Sequence, residues 1–82
     1  MPTKDELITV SRAQEWCAAY IDKCPRSLEW KHGARAGCFK AHGLAFQSSP
    51  WASGTAQDDA RNAGFQYGYS QAQHDLEVGV PA

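Results

Sequence analysis

Few side chains in this sequence are of a type and spacing that could do chemistry. The candidate metal ligands are Cys17, Cys24, Cys38, His32, His42 and His74. Zinc sites bring their ligands in close pairs such as Cys-x2–4-Cys. Here Cys17 and Cys24 lie seven apart, and Cys38 with His42 makes the one tight pair. The cysteines therefore read as small core hydrophobes, and no metal or other cofactor is expected. A Gly-x-x-x-x-Gly-Lys-Ser/Thr phosphate loop is absent, as is a Gly-x-Ser-x-Gly nucleophile elbow. Asp58 and Asp59 are adjacent, so on a helix they diverge; they read as charges opposing a helix dipole, not as a paired acid and base. The expectation is a protein that is not an enzyme.

What remains is a basic set. Arg26, Lys31, Arg35, Lys40 and His42, with Lys23 near, could contact phosphates, and Phe39, Trp51 or Tyr69 could stack on an exposed base. These cations fall in one part of the chain. From Lys23 to His42 five stand against Glu29 alone, a net +4, while the rest carries a net −5 within an overall −1. The middle is a basic island in an acidic chain. A solvated helix face would use the same residues.

The elements that position this set are helical. A small residue recurs every fourth position along Ala56, Ala60, Gly64, Gly68 and Ala72, leaving a shallow groove for another backbone. Gly64 and Gly68 each cost a helix about 1 kcal/mol relative to Ala, so close packing is their reason. Gly33, Gly37 and Ala41 repeat the pattern upstream, Gly33 aligning on Gly64, Gly37 on Gly68 and Ala41 on Ala72. Two helices sharing one packing solution explain this better than a degenerate repeat. Lys31, Arg35 and Lys40 interrupt any apolar run, so the small-xxx-small seam belongs to a soluble pair and not a membrane one.

Ser27 can cap a helix from Leu28 to about Leu44, and Gly54-Thr55 can start another reaching about residue 75. Residues 45–54 form the longest loop, anchored by Pro50-Trp51. Upstream, Thr3-x-x-Glu6 and Ser11-x-x-Gln14 offer two helix starts. The later is favoured, because Ile8-Thr9-Val10 is β-branched and could enter as an extended arm. Pro25 stops this helix, and the end, VGVPA, reads as a short tail. The expected fold is all-α, one domain over 1–82: a close-packed antiparallel helical hairpin (27–76) covered by an N-terminal helix (1–26). No secretory signal or membrane span is evident, and three cysteines without framework spacing fit a reducing cytoplasm.

The string Gly33-Ala34-Arg35-Ala36-Gly37, the loop Ser49-Pro50-Trp51, and Phe65-x-x-Gly68-Tyr69-x-x-Ala72 together resemble the ribosome modulation factor family. That family comprises small bacterial and phage proteins, some linked to ciprofloxacin resistance. The resemblance spans about Trp30 to Ala72. It implies two antiparallel helices joined by a Pro-aromatic loop, and a cytoplasmic protein that binds ribosomal RNA or a ribosome-associated surface to modulate translation. This chain departs in having Ser and Trp in the loop where the family has Cys or Asn and Tyr. Arg61 is the sole cation of its third helix, where the family is strongly basic, and residues 1–26 have no counterpart. Two other classes compete. A phage-type inhibitor or adaptor would bind a host protein complex, and a helix-turn-helix regulator would place the second helix in a major groove.

Overall fold

The computed structural model describes residues 3–79; of the expected tail over 78–82, Val78 belongs to the last helix and 80–82 lie outside the described residues, as does the Glu6 side chain of the first capping box. Three helices follow in order: α1 (Lys4–Tyr20), α2 (Leu28–Ala41) and α3 (Ala56–Val78). Among the described residues there is no strand.

α1 starts at Lys4 and not at Ser11. Ile8, Thr9 and Val10 are helical because β-branching costs only a few tenths of a kcal/mol per residue. Thr9 also donates its hydroxyl to the Asp5 carbonyl at 2.9 Å, within the helix. Two amides, of Ile21 and Asp22, then converge on the Cys17 carbonyl and turn the chain toward Pro25. Ser27 caps α2 as expected, accepting from the Trp30 amide at 3.2 Å. α2 ends at Ala41, short of Leu44, because Gly43 adopts φ +73°. The Leu44 amide reaches the Phe39 carbonyl and the Gly43 amide the Lys40 carbonyl, a Schellman closure. Thr55 caps α3 by accepting from the Asp58 amide at 3.2 Å, and α3 continues past residue 75 until Gly79 turns left-handed.

The small-residue seam between α2 and α3 is where the fold is made. A Cβ on Gly33 would overlap the Arg61 carbonyl oxygen and sit 2.8 Å from the Phe65 amide; one on Gly37 would overlap the Phe65 carbonyl and sit 2.6 Å from the Tyr69 amide. Reciprocally, Gly64 lies against the Trp30 carbonyl and Gly68 against that of Ala34. Gly64, Gly68 and Ala72 are buried, Ala60 and Ala41 are half-buried, and Ala56 is exposed at the mouth.

These contacts also correct the expected antiparallel sense. Moving four residues up α2, from Gly33 to Gly37, moves the contact four residues up α3, from Arg61/Phe65 to Phe65/Tyr69. The helices cross in the same direction. The connection makes this possible: a 14-residue helix is about 21 Å long, and the non-helical residues 42–55 run back along α2 before α3 begins. Trp51 late in that loop packs edge-on against His32 near the start of α2. The alignment of Gly33 with Gly64 and Gly37 with Gly68 is thus the register of a parallel seam.

α1 runs opposite to α2 across the short 21–27 turn. Ala13, Trp16, Cys17 and Ile21 join Trp30, Ala34, Cys38 and Ala72 in one buried core, so N-terminal helix and seam form one folding unit. Trp16 Nε1 adds a 2.8 Å hydrogen bond to Asp75 on α3. The first half of α1 buries no described side chain, and Leu7 and Ile8 are 54% and 47% exposed.

Candidate nucleic-acid interface

The helix period places Arg61, Phe65, Tyr69 and Gln73 in one row along α3, four residues apart. Phe65 and Tyr69 stack almost parallel, 4° between planes and 6.4 Å between centroids. Phe46, carried back by the loop, packs on Phe65 at 5.4 Å and is itself 44% exposed. Lys40 extends from α2 across the seam and holds its ammonium 5.6 Å from the Phe65 ring centre and 5.1 Å from that of Tyr69. Arg61 lies over Phe65 at 5.0 Å. Gln73 donates to the Tyr69 hydroxyl at 3.2 Å. The result is a surface ladder of alternating rings and cations, Phe46, Arg61, Phe65, Lys40 and Tyr69, built from both seam helices and the returning loop.

Arg61 is structural within it. At 8% exposure it donates Nη2 to the Gln47 carbonyl at 2.7 Å and so ties the loop to α3; its Nε is buried with no partner. Asp58, in the first turn of α3, is also buried and accepts from Asn62 at 3.3 Å, while Asp59 faces solvent. Beside the ladder a cleft of about 570 Å³ opens under the loop, with Phe39 and Phe46 as aromatic walls and His32, Arg35 and Gln47 as polar groups.

The remaining residues of the basic set do not form one strip. Lys31 and Arg35 face the turn after α1. Lys31 donates to the Asp22 carbonyl at 3.0 Å, and Arg35 forms a salt bridge with the Asp22 carboxylate, which holds its guanidinium above its ordinary pKa. His42, the C-cap just past the end of α2, folds back on the last turn, its Nδ1 at 2.8 Å from the Cys38 carbonyl. Arg26 stands at the opposite end of the seam, over Trp30 at 5.1 Å, where the Trp30 and Tyr67 rings pack at a 43° tilt. Phe39 packs half-buried on the core, and Trp51 is half-buried against His32. Lys40 alone of the set joins the ladder. Phe46 and Phe65 add rings beyond the Phe39, Trp51 and Tyr69 that the sequence suggests for stacking. The spacing of Arg61, Phe65 and Tyr69 could have pointed to them; the position of Phe46 depends on the direction of the loop, which the sequence does not announce.

Among the described residues no cluster of three or more His, Cys, Asp or Glu side chains could hold a metal, and no helix is long and apolar enough to cross a membrane. Compared with family models, curated proteins and solved structures, the chain matches none of them.

Proposed function

We propose that this protein is a non-enzymatic RNA-binding protein that docks on exposed, single-stranded segments of ribosomal RNA and modulates translation, as its resemblance to ribosome modulation factors implies. The observation that carries this reading is the ladder. Single-strand binders combine rings on which bases stack with cations that follow the backbone. Here Phe46, Phe65 and Tyr69 supply the rings and Lys40 the accessible cation, with Lys31 and Arg35 on the adjoining side of α2 and Arg26 at the seam's mouth. The cellular site would be the cytoplasm of a bacterium, with the gene carried by the cell or by a phage.

The test is sucrose-gradient sedimentation of tagged protein in bacterial lysate at low and high salt, paired with fluorescence anisotropy on a single-stranded RNA. Base stacking on an aromatic side chain is worth about 1–3 kcal/mol, so Phe46→Ala should weaken binding by about five-fold or more. A combined Lys31, Lys40 and Arg35 charge reversal should abolish co-migration with ribosomal subunits, as high salt should. Protein that stays at the top of the gradient in both salts and ignores RNA would overturn the proposal.

A second reading has its own support. Leu7 and Ile8 on the free half of α1 are exposed apolar residues that a host protein complex could cover, and binding there would persist at high salt. A helix-turn-helix draws less support, since the glycine face of α2 is filled by α3 and its cations point in different directions.

A further inference from the structure

We propose that Cys17 and Cys38 form a site of oxidative modification, at which hydrogen peroxide joins α1 covalently to α2. The placement of the two sulfurs argues for it. Both side chains are buried, at 3% and 0% exposure, in the same core cluster, on two helices that touch side by side. The Cys38 sulfur lies 3.6 Å from the Ala13 carbonyl oxygen, the acceptor one helical turn before Cys17. Cys38 therefore sits directly on the turn that carries Cys17. Cys24 is placed apart: it is half-buried beyond the end of α1 and donates to the Tyr20 carbonyl at 3.2 Å.

The pair is also unequal, as such chemistry requires. The neighbouring Cys38 thiol lowers the pKa of Cys17 against its burial, and the nearby Arg35 charge adds to this. The proximity of Cys17, together with burial, raises Cys38 far above the ordinary thiol range. Cys17 is the group that can present a thiolate, and thiolate is the nucleophile. The Cys17 thiolate attacks one peroxide oxygen; the O–O bond breaks, and with one proton water leaves and a sulfenic acid remains. With Cys17 now a neutral sulfenic acid, the thiolate that held the Cys38 proton is gone. The Cys38 sulfur attacks the Cys17 sulfur as the S–O bond breaks, and the departing hydroxide takes the Cys38 proton as a second water. Two thiols are oxidised to one disulfide while one peroxide is reduced to two waters.

Both sulfurs are buried, so peroxide has to enter by local opening of the half of α1 that carries Cys17. Only the second half of α1 is anchored in the core, and its contact with α3 includes the Trp16–Asp75 hydrogen bond. The full chain and its Cys24→Ser, Cys17→Ser and Cys38→Ser variants should be treated with peroxide, quenched in acid, and read by intact mass and peptide mapping without reductant. Cys24→Ser should lose the mass of two hydrogens and yield a Cys17–Cys38 linked peptide that dithiothreitol reverses, with a higher melting midpoint in the linked form. Trp16→Phe, checked for native helicity, should form the link several-fold faster. Oxygen adducts on separate cysteines, links through Cys24, or thiols that stay free even in Trp16→Phe would overturn the proposal. None of these readouts involves RNA, so the outcome is independent of the proposed function.

Discussion

Replacing Gly68 with alanine should destabilise the protein, although the same change on an exposed helix stabilises by about 1 kcal/mol. A Cβ there would overlap the Ala34 carbonyl oxygen and stand 2.7 and 2.8 Å from the Ala34 carbonyl carbon and Cα. Carbon atoms prefer about 3.5–4.0 Å, so the seam must open by about 1 Å. Every obstructing atom is backbone, and no rotamer can yield. Overpacking costs about 1–3 kcal/mol where a core can adjust. Here opening the seam at Gly68 also loosens Gly33, Gly37 and Gly64, which puts the expected loss near 3 kcal/mol. A domain of this size has about 4–12 kcal/mol in all, so the loss is large. Urea unfolding followed by far-UV circular dichroism measures it. Ala63→Gly, exposed on the same helix, is the control, with a loss of about 1 kcal/mol from propensity alone. If Gly68→Ala matched or exceeded the wild type, the backbone contact described for the seam would be refuted. Leucine at Gly37 or Gly68 should separate the two helices altogether.

Arg61→Ala should cost about 1.5–3 kcal/mol through loss of its charge-assisted bond to the Gln47 carbonyl, and the ring-proton NMR shifts of Phe46 and Phe65 should move as the loop parts from α3. Asp22→Ala should leave stability almost unchanged, because its ion pair with Arg35 is exposed, yet tighten RNA binding at low salt by releasing Arg35. The thiol pair predicts an alkaline limit. Cys38 is raised in the folded state, so the stability it contributes is complete below the ordinary value of 9.0 and is lost as pH climbs beyond it, where the unfolded chain gives up that proton and the folded chain keeps it. Cys17 is lowered, so its contribution is present above 9.0 and lost as pH falls through its folded value. Chemical denaturation across the alkaline range should show a stability maximum near pH 9 and a decline of up to about 1.4 kcal/mol per unit above it, absent in Cys38→Ala.

Much of the fold is written locally. Ser27 and Thr55 are hydroxyl caps and act as such, and glycines at four-residue spacing have few uses in a helix other than close approach. The sense of the seam is not local: a small-xxx-small row looks the same whichever way its partner runs, and residues 42–55 can either turn sharply or travel back. That ambiguity also hid the ladder, because Phe46 meets Phe65 only when the loop travels back. The structural role of Arg61, the sole cation of its helix, is hidden for the same reason: nothing near it in sequence reveals the Gln47 carbonyl it serves. The dispersal of the basic set has a different origin. Lys31 and Arg35 lie near Lys40 in sequence, but the helix turns them toward Asp22 while Lys40 turns toward α3.

The parallel crossing also constrains how the chain can find its native state. In an antiparallel hairpin the contacts beside the turn close first and each later pair costs little more. Here Gly33 faces the turn around Gly64 and Gly37 the turn around Gly68, and both pairs are separated by the same stretch of chain. No seam contact is more local than another, so zipping from the connection has nowhere to begin. The loop must close in full before any seam contact forms, whereas α1 and α2 can meet across their short turn early. Non-local contacts slow folding, so this all-α chain should fold more slowly than an up-and-down bundle of equal length. Lengthening the loop should add little to that barrier, since doubling a loop costs about 0.6 kcal/mol.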